Sequence, residues 1–199
     1  MIQNPRDNQP TLNGKTIVMR PTVLGDSVEF SEVAPIDTFD YFVSSVPKEQ
    51  SIRGFNPLVE YMLTTPSVCS FTILDQMTSE VVGSSSFMDI RPDDDHVEIG
   101  MTWYAPKWRG TRVNPECKFL MLSYAFDVLK CERVTLKCDD RNVRSKAAIL
   151  KLGAKLEGTL RRHRRMQNGF MRDTTYFSIL SDEWPEIKSS LEARLNSYE

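Results

Sequence analysis

The chain has 199 residues, of which 40% are hydrophobic and 26% charged, with a formal net charge of −2. That composition excludes disordered and collagen-like chains and supplies enough apolar material for a real core. No apolar run approaches the ~18 residues of a membrane span, no cysteine pair forms CxxC, and only two histidines occur, so a membrane span, a disulfide framework and a zinc site are not expected. Met1–Asp7 lacks a basic start followed by an apolar stretch, so no secretion signal is expected, and a reducing cytoplasm fits best.

Residues 1–14 read as an irregular lead-in, and Thr16–Pro21 as a short strand stopped by proline. Residues 25–65 read as helical pieces broken at Pro35, Pro47 and Pro57. Strands are predicted at Val68–Leu74, Val81–Met88 and His96–Tyr104, with a turn at Asp93–Asp95 before the third. The strongest helix signal follows. Asn114 is its predicted N-cap and Pro115 its first helical residue. Cys117, Leu120, Met121, Tyr124, Ala125 and Val128 recur at helical spacing, and the stripe is broad enough to predict a central helix packed on a sheet. Arg133–Cys138 reads as a fourth strand. A helix capped by Asn142 and stopped by Gly153 comes next, then strands at Lys155–Arg162 and Arg172–Leu180 and a polar helical tail over 182–198. No internal repeat or low-complexity linker divides the chain, so one domain, 1–199, is expected. The order implies an α/β (α+β) fold with a mostly antiparallel sheet and one parallel crossover.

Charge is unevenly spread. Residues 1–100 carry 15 acids and 6 bases, whereas residues 101–199 carry 12 acids and 19 bases. A basic second half suggests an anionic ligand there. The densest run, Arg161–Arg165, reads as a solvated strand end or loop, or as an RNA or phosphate contact. Lys107–Pro115 joins a strand to the start of the central helix, where free N–H groups and the helix dipole meet Gly110 and the bases Lys107, Arg109 and Arg112. These are the parts of a phosphate cradle, or of an ordinary glycine turn among surface bases. The segment is neither GxxxxGK(S/T) nor GxGxxG.

It resembles the pyrophosphate loop of the GNAT acetyltransferase superfamily, whose motif is Gln/Arg-x-x-Gly-x-Gly/Ala. The chain is similar, more closely, to the branch containing the ribosomal-protein N-terminal (alanine/serine) acetyltransferases. Ordered matches at Val97–Trp103, Trp108–Thr111, Val113–Lys118, Arg141–Ser145, Leu152–Ala154, Glu157–Arg161 and Arg172–Thr174 carry the resemblance over roughly residues 12–185. Two positions depart from the motif: Lys107 stands at the Gln/Arg position, and Arg112 where glycine or alanine is usual. A right-handed backbone at Arg112 lets its side chain turn away while its N–H still donates; any other conformation weakens cofactor affinity.

The resemblance implies a GNAT-like mixed sheet of about seven strands, flanked by helices and splayed at the cofactor site. It implies acetyl transfer from acetyl-CoA to a primary amine by direct attack in a ternary complex, with no metal. The pyrophosphate is expected on the main chain of Arg109, Gly110, Thr111, Arg112, Val113 and Asn114, and the thioester oxygen on N–H groups around Met101, Thr102 and Trp103. Glu98 is the candidate base, the alternative being a glutamate paired across the sheet. His96, two residues away, is expected to be exposed beside the acidic turn. Many relatives place a tyrosine on the helix after the fourth strand; Val143–Leu152 has none, and Ser145 is the candidate to hydrogen-bond the leaving sulfur, or else to satisfy helix N–H groups. Asn142 is expected to contact the cofactor as well as cap its helix. Cys69, Cys117 and Cys138 are expected to be buried, inert thiols rather than an acyl-enzyme nucleophile.

Specificity in this fold lies in residues 25–65 and the loop near Arg164–Gly169, and neither carries a readable signature. Protein α-amines (a ribosomal or other protein N-terminus), polyamines, amino acids and antibiotics all stay open as acceptors. No membrane or nucleic-acid partner is expected, and monomer and homodimer both stay open. The rival readings are a non-catalytic acyl-CoA-binding module and an RNA- or ribosome-associated protein on the same fold.

Overall fold

The computed structural model describes residues 1–43 and 46–198. The strands are β1 (Leu12–Asn13), β2 (Ile17–Pro21), β3 (Cys69–Asp75), β4 (Val81–Arg91), β5 (His96–Tyr104), β6 (Arg133–Asp139), β7 (Lys155–Arg165) and β8 (Met171–Leu180). The helices are α1 (Asp26–Val33), α2 (Ile52–Thr64), α3 (Val113–Ser123), α4 (Val143–Leu150) and α5 (Trp184–Asn196). One eight-stranded sheet runs β1-β2-β3-β4-β5-β6-β8-β7. Among the described strands only β5 and β6 pair in parallel, as a strand–helix–strand crossover through α3 requires.

Strand alternation divides the sheet's side chains between two cores. Val97, Ile99, Val134, Leu136, Phe177 and Ile179 meet Cys117 and Met121 of α3, Ile149 of α4 and Leu191 of α5 on one face. On the other face Val81, Met101 and Trp103 pack with Phe30 of α1 and Phe55, Leu58, Val59 and Met62 of α2. This second cluster involves β4 and β5 and does not reach β6, β8 and β7. Lys137 and Tyr176 are cross-strand neighbours there and both are half-buried.

Several boundaries differ from the sequence reading. The lead-in is ordered: it contains β1, Ile2 is buried, and the Arg6 guanidinium binds the carbonyls of Leu63, Thr65 and Val68. β1 also brings the sheet to eight strands. Pro57 does not break its helix, because α2 continues through it. The proline sits on the exposed side, while Phe55, Leu58, Val59 and Met62 bury the opposite face. Burial of those four outweighs one lost backbone hydrogen bond. Asn114 is not a cap, since α3 begins a residue earlier, at Val113. The last turn of that helix widens into a π turn over Tyr124–Val128. The stop at Gly153 is as read, in the left-handed region at φ +96°.

Candidate functional site

The loop into α3 is assembled by its own side chains. Arg109 is extended, and its guanidinium donates from Nε to the Tyr104 carbonyl (3.0 Å) and from Nη2 to Thr38 Oγ1 (2.7 Å). The loop is thereby tied to the short turn Ile36–Phe39. Gly110 follows at φ +77°, a conformation that favours glycine, and a Cβ built there meets no atom within 4 Å. The Thr111 hydroxyl donates to the Trp108 carbonyl (2.7 Å) and accepts from the Val113 N–H (3.3 Å). Lys107 is drawn away from the loop, pairing with Glu80 at 2.6 Å.

Arg112 adopts the right-handed conformation (φ −65°, ψ −16°). Its Nε donates to Glu116 Oε2 at 3.2 Å, one helical turn on. Glu116 is itself buried and also accepts from the Lys15 N–H, from the Thr16 N–H (2.9 Å) and from the Thr16 hydroxyl. The guanidinium that replaces the usual small residue is thus held along the flank of α3. The N–H groups of Gly110, Thr111, Arg112 and Asn114 find no acceptor among the described residues. Four free donors at a helix N-terminus, an open glycine and the helix dipole suit a diphosphate. Asn114 Oδ1 accepts from the Tyr104 hydroxyl at 3.0 Å, and so fastens α3 to β5.

Beside this loop the sheet opens. β5 pairs with β6 only at His96–Arg133, Val97–Val134 and Glu98–Thr135, although both strands run on. At the point of parting β5 bulges: Gly100 faces Ser86 and Trp103 faces Ser84, so Met101 and Thr102 together oppose Ser85. Met101 takes φ +48°. The extra residue reverses the alternation. Val97 and Ile99 point toward α3, yet Met101 and Trp103 point to the α1–α2 core. The side chains of Thr102 and Trp103 are therefore both committed elsewhere. Trp103 is buried against Phe30 and Phe39. Thr102 Oγ1 meets Ser85 Oγ and Lys118 Nζ, each at 2.7 Å. What this segment offers a ligand is main chain.

Lys118 was not singled out from the sequence. It is buried, donates to Ser85 Oγ (3.1 Å) and Thr102 Oγ1 (2.7 Å), and has no carboxylate partner among the described residues. Burial pulls its pKa below the usual lysine value. A lysine inside an apolar helical stripe, between Cys117 and Phe119, was the signal available.

Glu98 is buried on the face away from α3, and its Oε2 lies 2.7 Å from Lys137 Nζ on β6. Burial raises its pKa above the usual glutamate value, with Lys137 opposing. Pairing across the sheet is thus real. A carboxylate with an elevated pKa beside the opening of the sheet is also what a proton acceptor needs. The expectation that His96 is exposed is wrong. It is 2% exposed, with Nε2 at 2.9 Å from Thr135 Oγ1 and Nδ1 at 3.1 Å from the Asp89 carbonyl. It lies on the same face as Glu98, but parallel pairing with β6 closes over that end of the strand, so the acidic turn does not leave it in water.

The far lip of the opening is the start of α4. Asn142 Oδ1 accepts from the Ser145 N–H at 3.0 Å, so the side-chain oxygen is spent on capping. Burial pushes the Cys138 thiol up, with the Ser145 hydroxyl opposing. All four cysteines are free and buried, and burial pushes Cys69 and Cys131 up to about 12, which excludes a resting thiolate.

Past Glu98, the open face carries two arginines that the matched stretches include but to which the sequence reading gives no role. Arg141 chelates Asp139 (Nε 2.9 Å, Nη2 2.7 Å) and stacks over Phe170 at 4.0 Å and Tyr41 at 5.9 Å. Arg172 is buried, donating from Nη1 to the Tyr41 carbonyl (2.9 Å) and from Nε to Thr174 Oγ1 (3.1 Å). The 25–65 segment and the β7–β8 turn, remote in sequence, meet here. Among the described residues no His, Cys, Asp and Glu side chains group as metal ligands, and no helix is long and apolar enough to cross a membrane.

A family profile described as an acetyltransferase (GNAT) domain matches residues 17–155. An uncharacterized N-acetyltransferase, p20, of Bacillus licheniformis is 28% identical over 57% of this chain, a match that spans 63% of the relative's length. A GCN5-related N-acetyltransferase from Brucella melitensis superposes with a TM-score of 0.87 and 26% identity, covering 98% of this chain and 89% of that one. Mycobacterium smegmatis RimJ, solved with CoA-disulfide, shares the fold at a TM-score of 0.75 and 18% identity, over 89% and 88% of the two chains. With the profile matched over more than half its length and the opened sheet built as described, the chain belongs to the GNAT acetyltransferase family.

Proposed function

We propose that this protein transfers an acetyl group from acetyl-CoA to a primary amine by direct attack in a ternary complex. The observation that carries the reading is the set of unpartnered N–H groups at Gly110, Thr111, Arg112 and Asn114, beside a sheet parted at Glu98 and bulged at Met101. In the reaction the amine lone pair attacks the thioester carbonyl carbon. A C–N bond forms, the C–S bond breaks, and sulfur leaves with its electron pair and takes up a proton, while the amine nitrogen sheds one.

Each task has a group on the chain. The loop amides, Arg109 to Asn114, hold the diphosphate. Main-chain N–H groups of Met101–Trp103 face the thioester oxygen as it gains negative charge, a term typically worth ~3–4 kcal/mol per donor. Glu98 receives the amine proton, directly or through water, and its raised pKa brings it nearer working pH. Ser145 donates to the departing sulfur. An α-amine asks less of such a base than a lysine side chain, since about 10% of it is neutral at pH 7, against roughly 10⁻³ or less for lysine. A protein N-terminus and a small-molecule amine both satisfy that chemistry, and a cytoplasmic setting suits it.

Arg112, whose side chain is turned onto Glu116 rather than into the loop, supports the catalytic reading over a non-catalytic acyl-CoA-binding module. The test pairs CoA titration by calorimetry with thiol release from acetyl-CoA across peptide N-termini and small amines. Saturable CoA binding that is lost in Gly110→Val, together with amine-dependent thiol release, is expected. No CoA binding by the wild-type chain ends the reading.

A further inference from the structure

The charges around Glu98 do not cancel, and their excess points to the acceptor. Four carboxylates on this side each have one basic partner: Glu98 with Lys137 (2.7 Å), Asp139 with Arg141 (2.7 Å), Asp140 with Lys146 (3.0 Å) and Glu157 with Arg133 (2.9 Å). Arg172 stands beside them with no carboxylate at ion-pair distance among the described residues. Its Nε and Nη1 are taken by Thr174 and the Tyr41 carbonyl, and Nη2 has no protein acceptor among those residues. It is only 6% exposed. Its direct partners are neutral, and the nearest carboxylate acting on it, Asp139, is already chelated by Arg141, so the buried guanidinium is costly unless a further anion completes it.

Its surroundings are built in the same sense. Arg164 is the cross-strand neighbour of Arg172 and makes no ion pair among the described residues. His163 precedes Arg164 on β7, with its ring 5.8 Å from Tyr176 and its Nδ1 buried without a partner among the described residues. Lys137 sits 5.6 Å from the same tyrosine ring. The Arg172 side chain is roofed by the backbone of Tyr41, which belongs to the segment between α1 and α2. A polyamine or another polycation brought to this face would meet Lys137, Arg164 and Arg172. An amine that also bears an anion would leave its nitrogen to Glu98 and its negative charge to Arg172.

We infer that the acceptor is a primary amine carrying a carboxylate or phosphate close to the reacting nitrogen, with Arg172 as the residue that reads the anion and Arg164 and His163 beside it. Two sources supply that chemistry: a free amino-acid-like molecule, or a peptide N-terminus followed by an acidic residue. The inference rests on the acetyl-transfer reading of the same site and narrows its acceptor.

The test uses the full chain and matched acceptors. One arm compares free α-amino acids with their carboxamides. The other compares peptides that differ only in glutamate, glutamine or lysine at the second position. Thiol release gives kcat/KM, and calorimetry on the CoA-bound protein gives acceptor affinity independently of turnover. In at least one arm the anionic member is expected to win by roughly 10- to 100-fold, the range for one hydrogen bond to a charged group. That arm identifies the source. Arg172→Met is expected to erase the preference and to raise KM more than it lowers kcat. Arg164→Glu, an exposed change that leaves the fold intact, is expected to weaken the preference in the same direction. Thermal melting of both variants separates lost recognition from lost folding. CoA binding with neutral or cationic acceptors bound and acetylated as well as anionic ones overturns this inference and leaves the acetyl-transfer reading standing. Absence of CoA binding overturns both.

Discussion

Replacing Lys118 with methionine separates what the buried ammonium does for stability from what it does for the site. The side chains are close in volume, so packing is preserved. What is lost is two charge-assisted hydrogen bonds, to Ser85 and Thr102, worth ~1.5–3 kcal/mol each. What is relieved is the burial of a cation with no carboxylate partner among the described residues, an effective penalty of several kcal/mol. The two hydroxyls left behind bond each other at 2.7 Å, so neither is orphaned. The terms nearly cancel, and Lys118→Met is expected to unfold within about 1 kcal/mol of the wild type, a melting shift of no more than a few degrees. Thr102, however, loses the contact that fixes the bulge, and kcat is expected to fall about tenfold, roughly 1.4 kcal/mol of transition-state stabilisation, with little change in KM for acetyl-CoA. The pH dependence supplies a second sign. The folded-state pKa of Lys118 is lowered, so in the alkaline range between that value and the unfolded value of 10.5 the unfolded chain binds more protons and wild-type stability rises with pH. Lys118→Met lacks this rise. Urea titrations from pH 7 to 10 together with steady-state kinetics decide the matter. A loss of 3 kcal/mol or more, or an unchanged kcat, refutes the reasoning.

Other predictions follow from the same geometry. Glu98→Gln is expected to lower kcat strongly and leave CoA affinity alone, and the wild-type acid limb of kcat/KM is expected above the ordinary glutamate range because burial raises that carboxyl; equal rates for wild type and variant remove Glu98 from the mechanism. Ser145→Ala deletes one donor to the departing sulfur, a loss of ~1–2 kcal/mol or roughly 5- to 30-fold in kcat, with acetyl-CoA binding retained; weakened binding at an unchanged kcat contradicts that role. Glu116→Ala leaves the Arg112 guanidinium and the Thr16 N–H without their acceptor and is expected to cost about 3–5 kcal/mol in denaturant titration; a cost below ~1 kcal/mol refutes the pinning of Arg112. His96 has its pKa lowered by burial and then by Arg91, so its contribution is complete above the unfolded value of 6.5 and is lost as pH falls toward the folded value. Between pH 7.5 and 5.0, His96→Gln should therefore lose less stability than the wild type, and parallel profiles would contradict this.

The order of elements from β2 onward, the single parallel crossover and the identity of the loop that opens α3 are legible in the amino-acid sequence. Those follow from local chemistry: period-2 runs such as His96–Tyr104, the apolar stripe of Cys117 and Met121, and glycines at Gly110 and Gly153 where the backbone takes positive φ. The rest depends on packing between segments far apart in the chain. The bulge at Met101 reverses which face Trp103 occupies, and nothing in strict alternation announces the extra residue. His96 is buried because β6 pairs alongside it. Arg112 is harmless to the loop because Glu116 holds it, and Glu116 is in place because Thr16, a hundred residues earlier, packs against it. Arg172 and Tyr41 meet across 131 residues. Contacts of that separation leave no local periodicity to read, since they arise only when the sheet brings distant strands and the α1–α2 segment to one place.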